Sequence, residues 1–169
     1  MVLRFFVVFG KMLTLQKDME KNYDIIVERL LEEPYWVIDM LPMQVPQDSA
    51  GQFFAVEKYY REGPRYERLC AQFADVLLKL NCYYDLLVNR DSSDEWVKNP
   101  ELATLVMWLT ECMDHGHLCV LIDSEDALIT ASSGDINMTL YNPSPDLLQL
   151  VQQLASAEGL FLWQPQDNQ

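Results

Sequence analysis

The segments "LCVLI" (118–122), "ALITA" (127–131) and "INMTLY" (136–141) are three short runs of β-forming residues, separated only by "DSED" and "SSGD". Links this short, built from Asp, Ser, Glu and Gly, turn a chain back on itself, whereas a parallel pairing needs a crossover of about a dozen residues or more. The pattern predicts an antiparallel meander. Any fold for this chain has to be built around it.

Helical periodicity fills much of the remainder. Leu15, Met19, Tyr23, Ile26, Val27, Leu30 and Leu31 recur at three- and four-residue spacing and predict an amphipathic helix over 14–33, with Thr14 as N-cap and Pro34 as its stop. Tyr66, Leu69, Cys70, Phe73, Val76, Leu77 and Leu80 mark a second helix over 65–81. Leu102, Leu105, Val106, Leu109 and Cys112 mark a third, behind Pro100. A fourth spans 146–157, with Gly159 at its C′ position.

Between the helices, "YWVIDML" (35–41), "YYDLLV" (83–88) and "LFLWQP" (160–165) read as strands, and the polar stretch 89–100 reads as a loop carrying Trp96. "FFAVEKYYREG" (53–63) fits helix or strand. Strand 136–141, helix and strand 160–164 would form a βαβ crossover if the two strands lie parallel. The expected class is α+β: an antiparallel or mixed sheet of about five to six strands, with about four helices packed mainly on one face.

At 169 residues the chain is expected to form one domain, 1–169, burying roughly two-thirds of the surface its unfolded form exposes. Residues 1–11 fit either an edge strand around Phe5–Phe9 or an extension ahead of a start at Met12, and 166–169 read as a loose tail. An exposed apolar edge there would favour a homo-oligomer. Lys11 interrupts the apolar run before it reaches secretory length, and no stretch approaches the ~20 apolar residues of a membrane span. The four cysteines, Cys70, Cys82, Cys112 and Cys119, form no CxxC pair and read as free thiols in a reducing cytoplasm.

The net charge is −14, and it is unevenly distributed. Residues 1–98 hold 12 basic and 16 acidic groups, while 99–169 hold ten acids and no Lys or Arg. A surface without cations cannot neutralise phosphates, which argues against nucleic acid, and it is repelled by an anionic membrane. The expected partner is a protein with a basic surface.

Two stretches qualify as candidate sites. "ECMDHGHLCVLID" (111–123) holds both histidines and supplies Cys112, His115, His117 and Asp123, a donor set that could bind zinc. The same residues also read as a helix end, with Gly116 at C′, running into a strand. The second candidate is a rim of carboxylates, Asp123, Glu125, Asp126 and Asp135, that would steer a basic partner toward an aromatic anchor at Trp96. No G-x-G-x-x-G, P-loop, H-E-x-x-H or nucleophile elbow occurs. The chain therefore reads as an interaction or inhibitor module of the immunity or antitoxin kind, with no cofactor. A small metal-binding protein or enzyme centred on Cys112, His115 and His117 is the alternative.

Overall fold

A computed structural model describes residues 22–165 apart from 47, 50, 94 and 135. The expectations for residues 1–21, for Asp135 and for 166–169 lie outside the described residues.

The described elements, in chain order, are α1 (Tyr23–Leu30), β1 (Tyr35–Asp39), α2 (Gln52–Tyr60), α3 (Pro64–Leu80), β2 (Leu87–Arg90), β3 (Val97–Lys98), α4 (Leu102–Asp114), β4 (His117–Ile122), a 3-10 turn (Asp123–Glu125), β5 (Ala127–Ser132), β6 (Asn137–Tyr141), α5 (Pro145–Ala157) and β7 (Phe161–Trp163). The fold is α+β, with one seven-stranded sheet in the order β3-β2-β4-β5-β6-β1-β7. Every neighbouring pair is antiparallel.

The meander forms as its short links require, with Val120 opposite Ile129 and Ile129 opposite Leu140. β6 and β7 do run in the same direction, but they are not adjacent. β1 lies between them and pairs antiparallel with both, Ile38 facing Met138 on one side and Leu162 on the other. A strand about a hundred residues upstream thus fills the gap that α5 leaves when it crosses over.

Alternation along the strands separates two cores. Leu118, Val120 and Ile122 of β4, Ala127, Ile129 and Ala131 of β5, and Met138 and Leu140 of β6 face one side. There they meet Phe73, Val76 and Leu77 of α3, Leu105 and Leu109 of α4, and Leu147 and Val151 of α5. Leu121 and Leu128 face the other side and close with Leu30 of α1 into a smaller core, flanked by Tyr23, Ile26, Val27 and Trp96. Helices therefore cover both faces, three on the large core and α1 on the small one. α2 flanks α3 and buries none of its own residues.

The counts exceed the expectation of five to six strands and about four helices for identifiable reasons. The strand expected over 83–88 is present but displaced: Tyr83 and Tyr84 close a turn by donating their N–H groups to Leu80 O, and β2 begins at Leu87 and runs on to Arg90. The stretch 89–100, expected to be loop, contains the end of β2 and the two-residue β3, so it is a hairpin. The ambiguous 53–63 segment is the helix α2. Of the helix expected over 14–33, the described part is α1, capped by the Asn22 side chain, which accepts from Ile25 N–H.

Candidate functional site

The histidine stretch is a junction between α4 and β4. His115 leaves the helix in extended conformation, its N–H still donating to Glu111 O at 2.7 Å, and Gly116 takes φ +98°. Cys112 is fully enclosed in the large core, and its thiol donates back to Leu109 O at 3.2 Å. Burial pushes that thiol up to about 12. Cys119 lies on the opposite side of the sheet, in the small core, pushed up by burial to about 11. Asp123 follows the far end of the six-residue β4, about 20 Å from His117 at the rise of a strand. Cys112, His115, His117 and Asp123 are therefore not brought together. Among the described residues no group of three or more His, Cys, Asp or Glu side chains is arranged to hold a metal ion.

What His117 does meet is the turn after β2, distant from it in sequence. Asp91 and Ser92 follow β2 with φ of 55° and 52°, a left-handed pair. Asp91 Oδ1 accepts the His117 N–H at 3.1 Å, while Asp91 N–H donates to His117 O at 3.0 Å. Ser92 Oγ and His117 Nε2 are 2.9 Å apart. Arg90 closes the group, with its Nε 3.0 Å from Asp91 Oδ2 and an Nη 2.6 Å from Glu111. The His117 N–H, followed by Arg90, holds the Asp91 carboxyl below its usual range. The carboxylate engages the His117 backbone rather than its ring, so it does not orient the imidazole as a triad carboxylate does. The arrangement fastens the β2 turn to the start of β4.

Gly116 is essential to that fastening. A Cβ at this position would stand 2.1 Å from Asp91 Oδ1. Gly116→Ala is expected to cost about 1–2 kcal/mol in left-handed backbone strain alone, with the displaced carboxylate adding to the loss. Urea denaturation checks it, and an unchanged midpoint would mean that the Asp91–His117 clasp does not contribute to stability.

The acidic turn between β4 and β5 is tied inward at two of its carboxylates. Asp126, at φ 51°, pairs with Arg29 of α1, and its carbonyl accepts from Asn142 Nδ2 at 2.8 Å. Glu125 accepts from Ser144 Oγ at 2.6 Å, and Ser144 in turn caps α5 by accepting from Leu147 N–H. Trp96 is half-buried against the Tyr23 ring, with centroids 5.4 Å apart. The described part of the proposed rim thus also has structural duties, and Trp96 is a wall of the small core.

Asp123 turns toward something the sequence did not announce, an open cleft of about 610 Å³ at the β2–β3 end of the sheet. Tyr23, Tyr83, Tyr84, Asp85, Lys98 and Asp123 line it. The wall beneath is tied together by hydrogen bonds. Asn99, at φ 46°, accepts from Leu86 N–H at 2.8 Å and from Asn81 Nδ2 at 2.9 Å, and its own Nδ2 donates to Asp85 at 2.7 Å. Lys98 Nζ lies 2.7 Å from the other Asp85 oxygen, so the one cation in the lining is already paired. Lys98 and Asn99 together hold the Asp85 carboxyl below its usual range. Tyr84 is pushed up by burial and by the nearby carboxylates of Glu125 and Asp146. The adjacent tyrosines were visible in the sequence. Their convergence with Asp85, Asn99 and Tyr23 was not, because it joins three distant segments through a turn read as a strand.

Comparison with protein-family models, curated proteins and solved structures finds no match to this chain.

Proposed function

We propose that the protein is an acidic interaction or inhibitor module that receives a basic segment of a partner protein in the Tyr23–Tyr83–Tyr84 cleft. The observation that carries this reading is the chemistry of the lining: three tyrosine rings with Asp85 and Asp123, and a lysine neutralised from within. A guanidinium or ammonium group gains from a ring face and from a carboxylate together, and both are worth more once water is excluded. Tyr83 is 65 % exposed and available to a partner. The hydrogen bonds of the wall behind it are already made without a partner, which lowers the cost of association. The cation-free half beyond Lys98 adds long-range attraction for a basic surface and disfavours nucleic acid and anionic membrane. No helix among the described residues is long and apolar enough to cross a membrane.

The test is fluorescence anisotropy with a labelled Arg- and Lys-rich peptide, and with the same peptide carrying Glu in place of its cations. Tyr83→Ala combined with Asp123→Asn should weaken capture of the basic peptide by about tenfold or more, the scale of losing a central contact. Glu101→Gln, an exposed acid ahead of α4, should leave it unchanged. Equal affinity of the double variant and the parent, or binding of the Glu peptide, would reject the cleft as the docking point.

A further inference from the structure

A second cleft, of about 400 Å³, has the opposite character. It lies beside the first turns of α3, where Arg65, Arg68 and Gln72 meet Met40 and Leu41 after β1 and Leu160 before β7. No carboxylate lines it, although the chain as a whole carries −14. Each of the two other described clefts contains acids, Asp85 and Asp123 in one, Asp39 and Glu57 in the other.

The two guanidiniums are three residues apart, so they emerge from one face of α3. Arg65 is held in place. Its guanidinium carbon stands 3.8 Å over the Tyr59 ring centroid, and its Nε donates to Tyr59 O at 2.8 Å. Its nearest carboxylate, exposed Glu62, is 4.0 Å away, at the limit of an ion pair. Arg68 has no ion pair or side-chain hydrogen bond among the described residues, and Lys58 is the only other described cation without an ion pair. Glu158, next to Gly159 in the lining, is claimed by Lys79. The positive end of a 17-residue helix adds to the same field. Beneath this charge the floor is apolar, made by Met40, Leu41, Leu69 and Leu160.

We infer that this cleft is a binding site for a small organic oxyanion, a carboxylate or phosphate ester on a compact apolar body. Arg65 and Arg68 grip the anionic group with paired N–H donors, and the apolar floor takes the body. Guanidinium suits this task because its planar fork matches both carboxylate and phosphate. A volume of 400 Å³ is at the small end of ligand sites, enough for a single ring and its anionic group. The site is independent of the tyrosine cleft and neither requires nor excludes a basic partner there.

The experiment is an amide NMR titration of the full chain with phenylacetate, phenyl phosphate and the neutral phenylacetamide. Saturable shifts at Met40, Leu41, Arg68, Gln72 and Leu160 with at least one anion, and none with the amide, are expected. The anion that binds more tightly assigns the oxyanion as carboxylate or phosphate. Arg68→Gln should weaken binding about tenfold or more, and Arg68→Lys should recover only part of the loss, since an ammonium lacks the fork. Arg68 is exposed, so neither variant should disturb the fold. The inference is overturned if neither anion saturates, if phenylacetamide binds equally well, or if Arg68→Gln binds like the parent.

Discussion

Leu30→Ala should lower the unfolding free energy by about 2–5 kcal/mol, the range for truncating a fully enclosed leucine. Leu30 is 0 % exposed and is the residue through which α1 closes on Leu121 and Leu128. α1 is only eight residues long, too short to persist without tertiary packing. Removing its anchor should therefore loosen the whole helix, and with it the Tyr23 ring that packs on Trp96 and lines the larger cleft. Urea unfolding followed by circular dichroism measures the loss. Tyrosine and tryptophan fluorescence in the absence of denaturant reports whether the Tyr23–Trp96 contact survives. A change below about 0.5 kcal/mol, the size of a neutral surface substitution, would mean that α1 docks weakly and that the small core contributes little to stability.

Asn89→Leu should cost about 2–3 kcal/mol, from several lost hydrogen bonds at roughly 1 kcal/mol net each. Asn89 is the one buried polar side chain among the described residues, 3 % exposed. Its Nδ2 lies 2.6 Å from Ser93 O, 3.3 Å from Ser93 Oγ and 3.0 Å from Glu95 O. It thereby gathers the connection between β2 and β3 and sets where Trp96 enters the small core. Leucine has similar volume and no donor, so the two carbonyls would have to turn to water and carry the chain with them. Asn89→Asp should be no rescue, because a carboxylate cannot donate to carbonyl oxygens. If Asn89→Leu unfolds at the parent's urea midpoint, the loop is organised by something other than this side chain.

Local signals were sufficient wherever an element's own residues decide its state. The 65–81 and 146–157 stripes became α3 and α5 almost to the residue, because a four-residue period of large apolar side chains has no other stable outcome against a sheet. They failed over 83–86, the first four residues of the expected strand 83–88, where β-formers were overruled and pairing starts only at Leu87. Asn81 and Asn99 hold residues 83–86 as a turn through hydrogen bonds to Tyr84 O and Leu86 N–H, and the Asn99 pairs join residues 13 and 18 positions apart. Asn99 adopts a left-handed conformation that asparagine tolerates and the sequence only hints at.

The candidate sites divide in the same way. The reading of "DHGH" as a helix end was available from Gly116, since a glycine after a helix takes positive φ at no steric cost. The pairing of Ser92 with His117 was not, because 25 residues separate them. The acids 123, 125 and 126 were visible as a charged turn, yet Arg29 and Ser144, which bind two of them, come from other elements altogether.

Chain chemistry alone therefore determined the α+β class, the antiparallel meander, the long helices and the cation-free second half, since each follows from short-range period, turn length or residue type. Tertiary structure decided that β1 enters between β6 and β7, that the sheet is covered on both faces, and that tyrosines and carboxylates share one cleft while two arginines share another. The physical reason is range. Pairings such as Tyr35 with Tyr141 are selected by the total packing of two cores and leave no mark on the residues beside them in sequence.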